Sequence, residues 1–162
     1  MDIPYQAVIP APFGALGLRV EHGELVGVDF LAPHVALQAP ADDATQAICD
    51  SLSGYLDDAS APLLDVPVRA LGTVFQQRVW QTLRNIPAGA TLTYAELAVR
   101  VGSGARAVAN ACGANPVPLV IPCHRVVARD GIGGFMQGRK ADSLSIKQWL
   151  LQHERRNPAV AR

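Results

Sequence analysis

The reactive side chains of this sequence meet at Pro122-Cys123-His124-Arg125. A cysteine attacks as its thiolate, and an adjacent imidazole and guanidinium both favour that form. The preceding run, Leu119-Val120-Ile121, is apolar and reads as a short buried strand ending at the cysteine. Successive side chains of a strand point to opposite faces, so Cys123 and His124 cooperate only where the chain bends or a water bridges them. Pro122 is a reason for such a bend. The same placement also suits a small buried thiol that merely packs, and these residues alone leave both readings open.

The elements that would hold this segment are legible on either side of it. Thr73 caps a helix whose apolar face is Phe75, Val79, Trp80, Leu83 and Ile86, stopped by Pro87 and Gly89. Residues 91–93 open a second helix over 94–101. A turn with Gly102, Ser103 and Gly104 leads to a third, from 105 to about 112, ended by Asn115-Pro116. Helix, glycine turn, helix is the pattern of a helix-turn-helix DNA binder, although helical hairpins that never touch DNA share it. Beyond Val126-Val127 and a turn at Asp130-Gly131, a last helix buries Ile146, Trp149, Leu150 and Leu151 and finishes near Glu154. The basic tail after Arg155 is expected to fray.

The first part of the chain alternates apolar and polar residues over 16–20 and 25–30 around His22-Gly23, a hairpin signal, with 5–9 as a third strand. Residues 44–56 place Ile48, Leu52 and Leu56 on one helical face, and 65–68 return to the sheet before Gly72. This makes a small α/β cap over residues 1–71, with no side chain that reads as catalytic. A second domain over 72–162 carries the chemistry.

A chain of 162 residues that is 49% hydrophobic can bury a proper core. No apolar run approaches the roughly 20 residues of a membrane span, and Met1-Asp2-Ile3-Pro4 is no signal peptide, so a soluble cytoplasmic protein is expected. Cys49, Cys112 and Cys123 form no C-x-x-C pair, which argues against a disulfide framework or a cysteine-rich zinc site. The formal net charge of zero hides a division. Through Leu71 ten acids face only Arg19 and Arg69, net −8; from Gly72 twelve cations face Glu96, Asp130, Asp142 and Glu154, net +8. The basic half is the one suited to a polyanion.

From Ile121 to Val126 the chain resembles the active-site segment of the O6-alkylguanine-DNA alkyltransferases. Gly72-Thr73-Val74-Phe75-Gln76, Val79-Trp80, Ile86-Pro87-Ala88-Gly89, Thr93-Tyr94, Arg106-Ala107-Val108 and Asn115-Pro116 are similar to that family in order and spacing, as are Gly133-Gly134-Phe135 and residues 147–154 downstream. The resemblance covers 72–154. It implies an α/β cap followed by a mostly α, winged helix-turn-helix domain that carries the active site. It also implies direct repair of double-stranded DNA, by a single irreversible transfer of an alkyl group from O6 of guanine to Cys123.

The resemblance assigns roles as well. Cys123 passes its proton through water to His124, Glu154 orients the imidazole and stabilises its charge, and Tyr94 protonates the departing guanine. The target base must leave the stack. Arg106 would fill the gap as an arginine finger, with Ala107, Ala109, Asn110, Gly113 and Thr93 against the DNA in the minor groove. Asn115 would be the hinge between recognition helix and active-site segment. Tyr94, Val126, Phe135, Met136 and Gln137 would line the pocket. No cofactor and no metal are expected, since the cap offers only Cys49, His22 and His34 where zinc-bearing relatives have ligands. A monomer is expected; O4-alkylthymine as a second lesion and cooperative association on DNA stay open.

Three departures from the family pattern stand out. The turn over 102–106 is about two residues shorter than usual. Phe135 replaces the usual tyrosine, and with Met136 and Gln137 it is expected to narrow the pocket against benzyl-sized adducts. The loop over 139–146 before the last helix is longer than expected. Three rival readings are a lesion binder without chemistry, a winged-helix regulator and a cysteine hydrolase. The first lacks a reactive cysteine, the second leaves Cys-His unexplained, and the third leaves Arg106 and the charge division unexplained.

Overall fold

The computed structural model describes residues 4–134 and 143–156. Alternating apolar residues fold the first thirty positions into an antiparallel sheet of three strands, β1 (Ala7–Ala11), β2 (Gly14–Glu21) and β3 (Glu24–Leu31), in the order β1-β2-β3. His22 and Gly23 both have positive φ, 53° and 78°, the two-residue turn whose twist matches the strands it joins. Residues 65–68 return to the sheet as expected, through a parallel bridge between Leu25 and Val68.

Against the sheet packs α1 (Asp43–Asp57), its N-terminus capped by Asp42. Ile48, Leu52, Tyr55 and Leu56 form its buried face. Truncating Leu52, which is fully buried, to alanine would cost about 2–5 kcal/mol.

Four helices follow: α2 (Val74–Leu83), α3 (Tyr94–Val101), α4 (Ala105–Gly113) and α5 (Ser143–Arg156). Thr73 and Thr93 each build a full capping box, with Gln76 and Glu96 returning the bond to the cap backbone. At the other end of α3, Gly102 takes the left-handed conformation at φ 71°, which stops the helix and turns the chain into α4. The Trp80 indole N–H donates to the Ala111 carbonyl at 2.8 Å, fastening α2 to α4. α5 begins at Ser143, so the end of the loop expected before Ile146 is helix; residues 139–142 lie outside the described residues.

The apolar run at 119–121 is not a strand. Pro118 bridges Ile121, the Ile121 N–H donates to the Val117 carbonyl at 3.0 Å, and Leu119 sits at φ 77°. Among the described residues no strand pairs with this run, and Leu119, Val120 and Ile121 are buried within a tight reversal. A non-glycine residue in the left-handed region costs about 1–2 kcal/mol, a penalty the burial of Leu119 offsets.

A pairing not anticipated from sequence joins β4 (Leu92–Thr93) to β5 (Val126–Val127) in parallel. It brings the residues just after Cys123 beside the start of α3. One apolar core runs through both halves of the chain, from Leu16 and Leu52 to Trp80, Val108 and Leu150. Across the expected boundary at 71/72, the Val28 N–H donates to the Pro116 carbonyl at 3.0 Å and an Arg84 guanidinium N–H to the Leu64 carbonyl at 3.0 Å.

Candidate active site

Pro122 makes the bend that the cysteine segment needed. With φ −82° and ψ 67° it forms an inverse γ-turn, closed by the Cys123 N–H on the Ile121 carbonyl at 2.8 Å. Cys123, His124 and Arg125 then form a single 3₁₀ turn, so their side chains fan around it rather than alternating across a strand. Asn115 holds this geometry from the end of α4. Its amide N–H donates to the Ile121 carbonyl at 2.8 Å and its carbonyl accepts the Val117 N–H at 2.9 Å, both bonds buried.

His124 is wholly buried, with Nε2 2.7 Å from Oε2 of Glu154. An ionised carboxylate can only accept, so Nε2 carries the proton and Nδ1 is left as the basic nitrogen. That Nδ1 has no hydrogen-bond partner among the described residues. Burial pushes the imidazole pKa below its ordinary 6.5, against the pull of Glu154, and Arg125 and Lys147 push it the same way. The ring is therefore neutral at pH 7.

Burial alone would raise Glu154, but the hydrogen bonds and charges of His124 and Arg125 outweigh it and hold the carboxyl well below the usual range. Arg125 grips both oxygens, Nε on Oε1 at 2.9 Å and Nη2 on Oε2 at 2.8 Å, and Nη1 donates to the Ile86 carbonyl. The Tyr55 hydroxyl donates to Oε2 at 2.6 Å from α1. The result is a neutral imidazole seated on an ionised, fully hydrogen-bonded carboxylate, the state in which histidine can accept a proton from a thiol.

Tyr94 stands at the first position of α3, half-buried, its hydroxyl 3.4 Å from the Gly134 carbonyl. Gly133 passes so close that a Cβ there would meet the Tyr94 ring at 3.0 Å, at a φ of 72° that already favours glycine. Burial, then the neighbouring Cys112 and Cys123 sulfurs, push the phenol pKa up to about 12, so it is protonated at neutral pH. Lys147 is buried on α5, with Nζ donating at 2.7 Å to the carbonyls of Val126 and Gly134 and 5.9 Å from the Tyr94 ring centroid. Burial lowers its pKa to about 8, opposed by the Cys123 and Cys112 sulfurs.

The structure thus brings Cys123, His124, Glu154, Asn115 and buried Val126 together, with Tyr94 beside them. Arg106, Ala107 and Asn110 are exposed on α4, and Ala109 is half-buried. Gly113 is buried at the packed end of that helix, and half-buried Thr93 uses its hydroxyl to accept the Glu96 N–H at 3.1 Å. Phe135, Met136 and Gln137 lie outside the described residues, and with them the expectation about benzyl-sized adducts. Among the described residues no group of three or more His, Cys, Asp or Glu is placed to hold a metal ion.

Sequence reasoning missed four residues. Tyr55 continues the apolar face of α1 but meets Glu154 across 99 positions, a distance no local pattern spans. Arg125 was read as a cation favouring the thiolate, whereas its guanidinium grips Glu154, and Lys147 stood inside a recognised segment without a role. Cys112 was read only as a thiol; it is buried at the end of α4, where desolvation and the Cys123 charge push its pKa up to about 12.

Residues 74–156 match the family model for the 6-O-methylguanine DNA methyltransferase, DNA binding domain. The methylated-DNA--protein-cysteine methyltransferase of Methanosarcina barkeri is 34% identical over 165 residues, 94% of this chain and 98% of that one. The probable enzyme of the same name from Acanthamoeba polyphaga mimivirus is 41% identical over 113 residues, 67% of this chain and 72% of its own. The crystal structure of Mycobacterium tuberculosis O6-methylguanine methyltransferase superposes with a TM-score of 0.79 at 31% identity, covering 99% of this chain and 97% of that one. The structure of the M. tuberculosis protein in complex with DNA gives 0.76 at 32%, covering 94% of each. The chain belongs to the O6-methylguanine-DNA methyltransferase family.

Proposed function

We propose that this protein repairs alkylated double-stranded DNA by moving the alkyl group of O6-alkylguanine onto Sγ of Cys123, once per molecule. The observation that carries this reading is the buried, neutral His124 on the same turn as Cys123, with Nε2 on Glu154 and Nδ1 unclaimed by any of the described residues.

His124 takes the thiol proton through a bridging water, and the thiolate attacks the alkyl carbon in line. The carbon–O6 bond breaks as the sulfur–carbon bond forms. Its electron pair leaves on guanine, which takes up a proton from Tyr94. Cys123 ends as a thioether, with no group at hand to reverse it, so the protein acts stoichiometrically and needs no cofactor.

The target base is extruded into a pocket bounded by Tyr94 and Val126. α3, the Gly102 turn and α4 form the helix-turn-helix of a winged DNA-binding domain over 72–162, and residues 1–71 are its cap. Exposed Arg106 enters the minor groove to fill the vacated space, flanked by Ala107, Ala109 and Asn110. Gly113 and Thr93 act less directly, by close packing and by capping α3. The N-cap of α4 is Gly104, which forms no side-chain cap bond, and this leaves the first N–H groups of the helix available to a phosphate. Asn115 serves as the hinge. The chemistry requires a reduced thiol, which suits a monomer working in the cytoplasm.

The test is a mass measurement after mixing the protein with duplex DNA carrying O6-methylguanine. One methyl increment on the peptide containing Cys123 is expected, together with loss of the lesion. A Cys123→Ala variant should bind the damaged duplex and never gain the increment. An unmodified Cys123 in folded protein, beside intact lesion, would overturn the reading.

A further inference from the structure

We infer that Tyr55, supplied by the cap helix α1, is a positioning residue for the transfer, and that by sharing the Glu154 carboxylate it limits how strongly that carboxylate pulls on His124. The inference rests on the transfer reading above and deepens it, since it makes the acidic cap part of the proton relay.

Oε2 of Glu154 accepts from three donors: the Tyr55 hydroxyl at 2.6 Å, His124 Nε2 at 2.7 Å and Arg125 Nη2 at 2.8 Å. One carboxylate oxygen has limited lone-pair density, so each donor weakens the hold on the others. A hydroxyl donating to an ionised carboxylate at this length is a strong competitor. Without it, Oε2 would draw harder on the Nε2 proton, and Nδ1 would become more basic. An imidazole that is too basic is already protonated near neutral pH and cannot receive a proton from Cys123. With Tyr55 in place, the ring stays neutral and available.

Tyr55 is held for this task. It is 1% exposed, its carbonyl accepts from His153 Nε2 at 2.6 Å, and the His153 ring meets it edge-on at 5.4 Å and 87°. α1 and α5 are therefore locked together with the phenol aimed at Glu154. The titratable and charged groups facing the dyad are Tyr55 from α1, Arg125 on the 3₁₀ turn and Lys147 on α5, with His153 behind Tyr55.

The experiment compares the full-length protein with Tyr55→Phe, which keeps the ring, and Tyr55→Met, which keeps an apolar filling without it. Single-turnover methyl transfer to Cys123 is followed from pH 5 to pH 8, and the His124 ring nitrogens are followed by ¹⁵N NMR. Both variants should move the acid limb upward by roughly half a pH unit, about threefold in rate below the limb. The His124 Nε2 proton should move downfield as its bond to Glu154 tightens. An unmoved limb with an unmoved His124 resonance in either folded variant overturns the proposal. If the unsubstituted protein leaves Cys123 unmethylated, the transfer reading has failed, and the ¹⁵N comparison still decides whether Tyr55 sets the state of His124.

Discussion

Replacing Glu154 with glutamine tests the relay and the fold at once. The substitution keeps the shape of the side chain and removes its charge. Glu154 accepts four hydrogen bonds, from Tyr55, His124 and twice from Arg125, and is 1% exposed. Glutamine can satisfy only part of this set. If its carbonyl faces His124, its amide group meets the Arg125 guanidinium donor to donor. If it turns round, the amide N–H faces Nε2 and forces the proton onto Nδ1, which abolishes the base that should serve Cys123. Arg125 is left almost buried without its counter-charge, a loss of about 3–5 kcal/mol. For a domain of this size that corresponds to a fall in Tm of roughly 10 °C. A relay weakened by even 3 kcal/mol slows transfer at least about a hundredfold. Stopped-flow loss of O6-methylguanine from a duplex gives the rate, and calorimetry gives Tm. A Glu154→Gln protein that transfers within about threefold of the original rate would refute the assignment of Glu154 and His124 to the chemistry.

Other perturbations separate DNA handling, acid stability and the hinge. Arg106→Ala should slow repair of a duplex by about tenfold or more, with little change on single-stranded substrate, because only the duplex leaves a gap to fill; equal losses on both would remove the finger assignment. Stability should fall as pH drops below 6.5. The His124 pKa lies below its ordinary 6.5, so its contribution is complete above that value and is lost as pH falls through the folded one; Glu154, also lowered, does the same below 4.5. Urea midpoints from pH 8 to pH 4 measure this, and a His124→Gln variant should flatten the part between 6.5 and 4.5. Asn115→Ala deletes two buried hydrogen bonds and strands the Val117 N–H, and should cost about 2–4 kcal/mol in urea unfolding. Its transfer rate should fall as well, since the turn at 117–121 leads directly into Cys123.

The acidic and basic halves of the chain are tied beside His124 and Glu154. Tyr55 reaches Glu154 and His153 reaches Tyr55, both through buried bonds, so the charge division of −8 and +8 separates surfaces rather than cores. A binding face can be strongly basic because the acids sit on a different part of the molecule, while one shared core holds both.

Whatever depends on neighbours a few residues apart was readable directly. The hairpin at His22-Gly23, the cap at Thr73, the helix opening at 91–93, the turn at Gly102 and the period of α1 are local, because turn angles and caps are set within four or five residues. The reactive segment and its histidine were also legible, and Pro122 announced a bend. Tertiary structure alone decided what the bend was for. The run 119–121 looked extended because it is apolar, and in the fold it is a tight reversal closed by the Ile121 N–H on the Val117 carbonyl. The two-residue pairing of β4 with β5 lies below any local signal. The grip of Tyr55 and Arg125 on one carboxylate arises only when helices far apart in sequence close on a common core, and there burial compels an ion to find every donor within reach.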